Sequence, residues 1–365
     1  MKIAKLLLNW YGNFKRDLPW RKDKDPYKIW VSEVMLQQTR VEAVKPYFEN
    51  WMNAFPTLES LAEAEEEDVI RHWQGLGYYS RARNLLQGVR EVQQSYGGKV
   101  PQTKKEMIGL AGIGDYTSGA ILSIAYNKKE PAIDGNVLRV FSRLFCIKED
   151  IASLSVKKTI RKLVESEMPA ENPGDFNQAL MDFGSAVCIP KVPRCTICPL
   201  ACCCCAKQNG VEGQLPVKKK KTPPQAVRLI AGVIRQGEAY LLHQRPDKGL
   251  LAGMWEFPTA EISPDGEPME CFRNVIQEET GQIIELERLL LQCTHIFSHR
   301  QWDISFYYCT ISPGRTLPAG KNLAWVRWQD WGRLSFAGPH RKMETLIIEG
   351  NKQAGWNFSA EMLLK

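Results

Sequence analysis

Two glycines, Gly112 and Gly114, separate two helical patterns in the segment from Leu110 to Thr117. Only small residues can make such a tight turn between helices. The first N–H groups of the second helix have no partner within that helix and lie at the positive end of its dipole, so they favour an anion. The segment therefore predicts a helical hairpin that binds phosphate, with DNA phosphate as the natural candidate. Taken alone, the glycines are also typical of an ordinary helix–helix turn.

Asp134 favours the functional interpretation of this hairpin. It lies in an apolar run and is followed at once by Gly135 and Asn136. A carboxylate is costly to bury unless it is paired, so Asp134 is either a helix cap or a functional group. The hairpin, its glycines and the following acid together resemble the helix-hairpin-helix superfamily of DNA glycosylases, and within it the MutY family of adenine DNA glycosylases. The resemblance extends over essentially all 365 residues.

Bulk composition indicates the broad class of protein. The chain is long enough for two domains, and it contains no apolar run near the length of a membrane span. The apolar start at Ile3 to Leu8 is cut short by Asn9, which predicts an amphipathic helix rather than a secretory signal. We therefore expect a cytoplasmic protein with no membrane contact, and the resemblance implies a monomer associated with the bacterial nucleoid.

Positive charge is concentrated in the first part of the chain. Residues 1–225 carry 33 Lys and Arg against 25 Asp and Glu, whereas residues 226–365 carry 15 against 16. Contacts to phosphates supply the sequence-independent part of DNA affinity. The asymmetry fits a nucleic-acid enzyme with a less basic second module, although solubility alone also accounts for a modest excess.

The predicted fold is multidomain. Residues 1–206 read as helices, and the resemblance implies an all-α helix-hairpin-helix glycosylase domain with an iron–sulfur loop. Residues 207–226 are rich in Gly, Pro and Lys and are predicted to be a linker. In residues 227–365, two strand patterns flank Gln236 and Gly237, a helix follows from Met269 to Thr280, and the whole resembles an α+β Nudix-like domain.

Three residues are the catalytic candidates that the resemblance implies. Glu33 lies among Trp30, Val34 and Leu36, where desolvation raises a carboxyl pKa and favours a general acid. A lone Glu on a helix is more often a surface carboxylate, and only its motif reverses that interpretation. The resemblance makes Glu33 the proton donor to adenine N7, Asp134 the stabiliser or transient nucleophile at C1′, and Tyr116 a hydrogen-bonding neighbour.

Further residues are candidates for holding the DNA. Extruding a base from the duplex requires a pocket for the base and side chains that fill or support the stack. The loop around Gly75 to Tyr79 combines glycines and aromatics, although core packing of the tyrosines is an equally plain interpretation. The DNA-binding candidates are Gln38, Thr39, Leu76, Tyr78, Gly112 and Gly114, and the adenine-pocket candidates are Trp20, Arg21 and Gln178.

Tyr116 separates two related activities. Bifunctional relatives that resemble endonuclease III have a Lys at this position, whose amine forms a Schiff base with the sugar and leads to strand cleavage. A tyrosine cannot do this, so we predict a monofunctional glycosylase that leaves an abasic site. The alternatives are an endonuclease III-like bifunctional glycosylase, disfavoured by Tyr116, and a non-catalytic lesion-binding protein, disfavoured by the presence of both carboxylates.

Eleven cysteines are present, and without a secretory signal a disulfide framework is unexpected. Cys188, Cys195, Cys198 and Cys204 fall within seventeen residues, and their spacing resembles that of the 4Fe-4S loop of the endonuclease III and MutY families. A tetrahedral zinc site is the chemical alternative, but zinc usually takes two Cys-x2–4-Cys pairs. Any residue of the run from Cys202 to Cys205 could provide the last ligand, and spacing favours Cys204.

The C-terminal part resembles a Nudix domain in which two acids of the hydrolase box, Glu278 and Glu279, remain but other residues of the box are missing. Where the box requires an Arg followed by Glu, the chain has Asn274 and Val275, and Ala260 and Gly266 replace its leading Gly and Glu. Because these carboxylates hold magnesium, we predict no pyrophosphate hydrolysis. The segment Phe297-Ser298-His299 resembles the loop that reads 8-oxoguanine, although without the resemblance it would be a polar turn. The resemblance thus implies duplex DNA with 8-oxoguanine:adenine or guanine:adenine mispairs as partner.

Overall fold

The chain divides into two compact units, Met1–Lys220 and Lys221–Lys365. The computed structural model describes residues 2–219, 223–263, 266–280, 284–297, 300–311 and 322–352. In these ranges, no helix combines the length and apolar character needed to cross a bilayer. The first unit is helical and the second is built on a sheet, as predicted.

Short connections join the helices of the first unit, and 3₁₀ turns occur at Pro19–Arg21, Cys195–Ile197 and Ala201–Cys203. The described helices are α1 (Lys2–Phe14), α2 (Pro26–Leu36), α3 (Val41–Ala54), α4 (Leu58–Ala62), α5 (Glu66–Trp73), α6 (Ser80–Tyr96), α7 (Lys104–Gly109), α8 (Asp115–Tyr126), α9 (Gly135–Leu144), α10 (Leu154–Glu167), α11 (Pro173–Ala186) and α12 (Cys205–Gln208).

Helix α2 lies in the interior of this unit. Asp25 caps its N-terminus by accepting a hydrogen bond from the Tyr27 N–H, and Pro26 occupies its first turn. Nearly all of its residues from Tyr27 to Met35 are buried, and it packs against α8. A helix that is buried on all sides places even its polar side chains in the protein interior, and Glu33 is one of them.

The segment before α9 is held tightly against α8. A Cβ atom added to Gly119 of α8 would lie 2.3 Å from the Pro131 carbonyl oxygen, so only glycine permits this approach. The buried Asn177 of α11 accepts from the Ala132 N–H (3.2 Å) and donates to the Glu130 carbonyl oxygen (2.9 Å). These contacts fix the backbone two residues before Asp134.

The second unit contains a mixed sheet of seven strands with helices on both sides. Its described elements are β1 (Gln225–Gln236), β2 (Ala239–Gln244), β3 (Trp255–Glu256), β4 (Thr259–Ile262), α13 (Pro268–Thr280), β5 (Ile284–Ile296), β6 (Arg300–Ile311), β7 (Leu323–Arg327) and α14 (Gly338–Lys352).

Strand β1 organises this sheet. The strand order is β3-β2-β1-β6-β5, with β4 paired to β1 and β7 to β2, and only the β1–β6 pair is parallel. Alternate β1 residues enter two cores: Val233 packs in the core that includes Ile347 of α14, and Ile234 in the core that includes Phe272 of α13. This explains why β1 reads as a continuous apolar run rather than an alternating one.

Candidate active site

Glu33 is almost completely buried on α2, with 5% of its surface exposed. Burial raises the pKa of its carboxyl group, as does the charge of Asp134, whereas the hydrogen bond from Tyr116 and the charge of Arg21 lower it, and the net shift is upward. A carboxyl group in this position keeps its proton at higher pH than a surface Glu does. A general acid requires this property.

Tyr116 lies in the first turn of α8, and its hydroxyl group donates a hydrogen bond to Glu33 Oε2 at 2.5 Å. Burial, together with the charges of Glu33 and Asp134, raises the pKa of Tyr116 well above its usual value. The phenol therefore remains protonated and acts as a donor to Glu33. This short contact joins α2 to the hairpin that ends in α8.

Asp134 is the N-cap of α9. Its Oδ1 accepts from the Val137 N–H at 2.7 Å, and its Oδ2 accepts from the Asn136 side-chain amide at 2.7 Å. Burial raises the pKa of Asp134, while these hydrogen bonds and the charge of Arg139 oppose the shift. The sequence left open whether Asp134 is a cap or a functional group, and the structure shows that it is a cap whose carboxylate also faces a cavity.

The candidate residues line one open cavity of about 180 Å³. Both carboxyl groups and the Tyr116 side chain line it, and so do the three residues predicted for the adenine pocket, which come from distant parts of the chain. The six are Trp20, Arg21, Glu33, Tyr116, Asp134 and Gln178. The cavity therefore combines a buried, protonatable carboxyl group with a second carboxylate, which is the pair that glycosidic bond cleavage uses.

Sequence analysis missed the residues that hold Arg21. Asp182 of α11 is buried, and it accepts two hydrogen bonds from the Arg21 guanidinium at 2.7 and 3.0 Å and others from Arg16. Burial would raise the pKa of Asp182, but the two guanidinium groups lower it. Asp182 thus remains ionised and fixes Arg21 at the cavity wall. An acid within the apolar run of α11 was the available signal.

The predicted DNA-binding loops have unusual backbone conformations. Gln38 and Tyr78 are non-glycine residues with positive φ, at 62° and 49°. The Tyr78 side chain is 48% exposed, whereas Leu76 is only 8% exposed and packs in the interior. Leu76 is thus largely buried in this conformation, and its contact with DNA stays a prediction. Thr39 is partly buried and lines the candidate cavity.

The hairpin between α7 and α8 uses its two glycines differently. Gly112 has φ 74°, and a Cβ atom there would lie 2.7 Å from the Cβ of Asn84, so the turn itself requires glycine. Gly114 has an extended backbone and is the N-cap of α8, with open space where a Cβ atom would be. At Gly114 the missing side chain therefore leaves open space next to the N-terminus of α8.

Four cysteines surround a small cavity of about 20 Å³. They are Cys188, Cys195, Cys198 and Cys204, and the other cysteines of the run do not line this cavity. The buried Arg143 donates to Cys188 Sγ at 3.3 Å and to the Ile189 carbonyl oxygen at 2.8 Å, which adds a fixed positive charge beside the thiols. A donor of this kind can form a hydrogen bond to a sulfur ligand of an iron–sulfur cluster.

One disulfide involves a cysteine of the run. Cys205 is bonded to Cys146, which directly follows the end of α9 and its cap, and the two Cα atoms are 5.5 Å apart. A single bond is not a disulfide framework, and the nine other cysteines are free. Sequence analysis did not predict this bond, because the fold brings together two cysteines that are 59 positions apart, and spacing within the cysteine run cannot reveal this. Cys205 is therefore engaged elsewhere and has no free thiol.

In the second unit, Phe297 directly follows β5. Its ring centroid lies 4.5 Å from that of His295 and 4.9 Å from that of Trp302, and its N–H donates to the Arg300 carbonyl oxygen. Ser298 and His299 lie outside the described residues. Phe297 thus begins the predicted reading loop at a fixed position between β5 and β6.

Comparisons with known proteins agree with this architecture. Residues 31–166 match the HhH-GPD superfamily of base excision DNA repair proteins, and residues 230–345 match the NUDIX domain. Among solved structures, the first unit is similar to a thermostable thymine-DNA glycosylase, with a TM-score of 0.51 and 28% identity, over 57% of this chain and 96% of that chain.

Several adenine DNA glycosylases are similar to most of this chain. An adenine DNA glycosylase of Rattus norvegicus is 37% identical over 89% of this chain and 73% of the relative. Those of Homo sapiens and Schizosaccharomyces pombe are 35% and 32% identical, over 88% and 90% of this chain and 69% and 86% of the relatives. The similarity spans both units.

Proposed function

Because this chain belongs to the adenine DNA glycosylase family, and is therefore a DNA glycosylase of base excision repair, we propose that it releases adenine mispaired with 8-oxoguanine or guanine. The product is an abasic site, and the strand is not cut. The observation that carries this proposal is the buried Glu33 carboxyl group, which is hydrogen-bonded to Tyr116 in the cavity that Asp134 also lines.

Proton transfer to the base is the role of Glu33. Adenine leaves the sugar poorly as an anion, so protonation at N7 is needed before the bond breaks. Tyr116 donates to Glu33 Oε2, so the carboxyl proton resides on the other oxygen and is available to the base. The charge of Asp134 favours the protonated form of Glu33, since two nearby carboxyl groups do not both ionise readily.

Asp134 stabilises the positive charge that develops on the sugar when the bond breaks. Its carboxylate receives one hydrogen bond on each oxygen, which keeps its orientation fixed while the charge forms. Tyr116 has no amine and cannot form a Schiff base with C1′. Water therefore completes the reaction, and the protein does not cleave the backbone by β-elimination.

The mispair partner is recognised by the second unit. Oxidation converts guanine N7 from a hydrogen-bond acceptor into an N–H donor, and a hydroxyl group that accepts this proton distinguishes the two bases. Phe297, Ser298 and His299 are the residues we assign to this recognition. The first unit contacts the duplex through the hairpin at Gly114 and the loops that carry Gln38, Thr39 and Tyr78.

A 4Fe-4S cluster is the cofactor that the cysteine loop fits. The four thiols surround one cavity, so each can bind a different iron atom, and Arg143 provides a hydrogen-bond donor to Cys188. The cluster would supply a rigid support for the loop between Cys188 and Cys204. The loop carries Lys191 and Arg194, which can contact DNA phosphates.

Single-turnover base release from three duplexes tests the proposal. The duplexes contain adenine opposite 8-oxoguanine, guanine or thymine, and alkali reveals abasic sites as strand breaks. We expect release from the first two only, and strand breaks only after alkali. Borohydride should trap no covalent complex, because Tyr116 replaces the lysine that would form one.

Two results would contradict the proposal. Efficient borohydride trapping through a lysine would identify a bifunctional enzyme. Tight binding of all three duplexes without base release would instead identify a lesion-binding protein.

A further inference from the structure

We propose that Arg81 is a positioning residue that holds the turn at Gln37 to Thr39 and the loop at Gly75 to Tyr78 together as one DNA-contacting unit. The inference rests on the proposed function only for the statement that these loops meet DNA. The contact between the loops is a property of the protein alone. Arg81 is the second residue of α6 and touches neither Glu33 nor Asp134 through a hydrogen bond among the described contacts.

The guanidinium group of Arg81 connects two segments that are about 40 residues apart in the chain. Its NH1 donates to the carbonyl oxygens of Val34 (2.7 Å), Met35 (3.1 Å) and Gln37 (2.7 Å). Its NH2 donates to those of Leu76 and Gly77, both at 3.0 Å. The first set includes the last carbonyls of α2, which have no partner within the helix. The Arg81 side chain thus binds the C-terminal end of α2, the helix that carries Glu33, and also the backbone of the loop at Gly75 to Tyr78.

The positions of these acceptors coincide with the backbone strain. Gln37 immediately precedes Gln38, and Gly77 immediately precedes Tyr78, the two non-glycine residues with positive φ in these loops. Side chains other than glycine adopt this region at a cost in free energy and persist there only when surrounding contacts impose it. Trp73 Nε1 also donates to the Gly77 carbonyl oxygen at 3.1 Å, and the Thr39 N–H donates to that of Leu36, but each of these contacts lies within one loop. The hydrogen bonds of Arg81 reach both loops.

The surroundings of Arg81 show that no simpler cation can replace it. Its guanidinium carbon lies 5.2 Å from the Trp73 ring centroid and 5.8 Å from that of Tyr78, so the planar group also contacts the exposed aromatic side chain. Burial lowers the pKa of Arg81 to about 10. A lysine has one nitrogen atom and cannot reach two segments with the separate arms of a planar fork.

A functional consequence follows from the direction of these contacts. Helix α2 carries Glu33 and ends at Leu36, one residue before the turn that Arg81 holds. The loop that presents Tyr78 is attached to the same guanidinium group. Insertion of Tyr78 into the duplex is therefore mechanically linked to the helix that carries the proton donor.

Arg90 provides a matched control for the test. It lies on the same helix, α6, and its guanidinium group also donates to backbone carbonyls, those of Ala62 (3.0 Å) and Ala64 (2.8 Å). These acceptors are outside both DNA-contacting loops. Both substitutions remove hydrogen bonds from a guanidinium group to backbone carbonyls. Only Arg81→Lys removes those that connect the two DNA-contacting loops.

Hydrogen exchange of the free protein is the first readout, because it requires no catalytic activity. In Arg81→Lys we expect faster exchange in both segments 37–39 and 75–78, whereas Arg90→Lys leaves both unchanged. The side-chain amide of Arg81→Gln can reach only one of the two segments, so we expect faster hydrogen exchange in the segment that it does not reach. Unchanged exchange in both segments of Arg81→Lys, or equal changes in Arg90→Lys, would overturn the proposal. Thermal unfolding and iron content establish that each variant is folded.

The second readout is extrusion of the base, followed as the rise in fluorescence when 2-aminopurine replaces the adenine. We expect Arg81→Lys to lose this signal and to release adenine about 10²-fold more slowly, since small misplacements have effects of this size. Its pH profile should match that of the wild type, because Glu33 is unaltered. If Arg81→Lys extruded the base fully but released it slowly, the defect would lie in the chemical step, and this result would contradict the proposed role of Arg81. If the wild-type protein releases no adenine, the proposed function fails, but the exchange result still decides the role of Arg81.

Discussion

Glu33→Gln should reduce single-turnover release of adenine by about 10²-fold to 10⁴-fold, the usual contribution of a positioned general acid. Glutamine has nearly the same shape and can still accept the hydrogen bond from Tyr116, which measures 2.5 Å in the wild-type protein. It cannot give a proton to the base. The loss should therefore appear in the rate constant for base release, while affinity for the mispaired duplex is retained.

A surface substitution provides the control for this experiment. Glu42→Gln alters an exposed carboxylate on α3 that forms an ion pair with Lys45, and it should leave the rate unchanged. If Glu33→Gln released adenine at the wild-type rate, Glu33 would not be the proton donor.

The rate of base release by the wild-type protein should depend on pH, and the burial of Glu33 determines the direction on the alkaline side. Burial raises the pKa of Glu33, and the active form is the protonated one, so the rate should fall as pH rises through this elevated pKa. Asp134 acts as a carboxylate, so the rate should also fall when acid protonates it. In Glu33→Gln the loss of rate on the alkaline side should disappear, because the titrating group is gone.

Cys204→Ala should abolish the iron–sulfur cluster, whereas Cys203→Ala should not. Cys204 lines the cavity formed by the four candidate ligands, but Cys203 does not, and its thiol donates to the Leu200 carbonyl oxygen instead. Slippage to Cys205 is prevented by its disulfide with Cys146. We expect Cys204→Ala to lose its iron and its visible absorbance, and to bind DNA more weakly, because the loop that carries Lys191 and Arg194 loses its support.

Iron analysis and absorbance spectra of the two purified variants, with a DNA-binding titration, check this prediction. Cys203→Ala serves as the matched control, since it removes a thiol from the adjacent position of the same loop. Retention of a full cluster in Cys204→Ala, with its loss in Cys203→Ala, would show that the ligand assignment is wrong.

Local patterns account for what the sequence could predict. The φ of 74° at Gly112 requires glycine, so the hairpin is written in the residues that form it. The cysteine loop was predictable for the same reason. Its four candidate ligands lie within one short segment, so their proximity does not depend on the rest of the fold. Glu33 is an intermediate case, because its apolar neighbours left a surface position open and only the motif around it favoured burial, which α2 then shows.

Contacts between distant segments account for what the sequence did not predict. The bonds from Arg21 to Asp182 join positions 161 residues apart, and the Cys146–Cys205 disulfide joins positions 59 apart. Nothing near Arg81 in the sequence indicates that its side chain caps α2. The resemblance assigned Leu76 to DNA contact, and its burial in the structure depends on how the loop folds back.

The central claim is that Glu33 delivers a proton to N7 of an adenine held in the cavity beside Asp134. Its most direct test is a duplex in which the adenine opposite 8-oxoguanine carries a C–H group in place of N7. The wild-type protein should bind this duplex as it binds the normal mispair but release the altered base at least about 10²-fold more slowly, and Glu33→Gln should cause little further loss. Release of the altered base at the rate of adenine itself would contradict the account, because no nitrogen would be present to receive the proton.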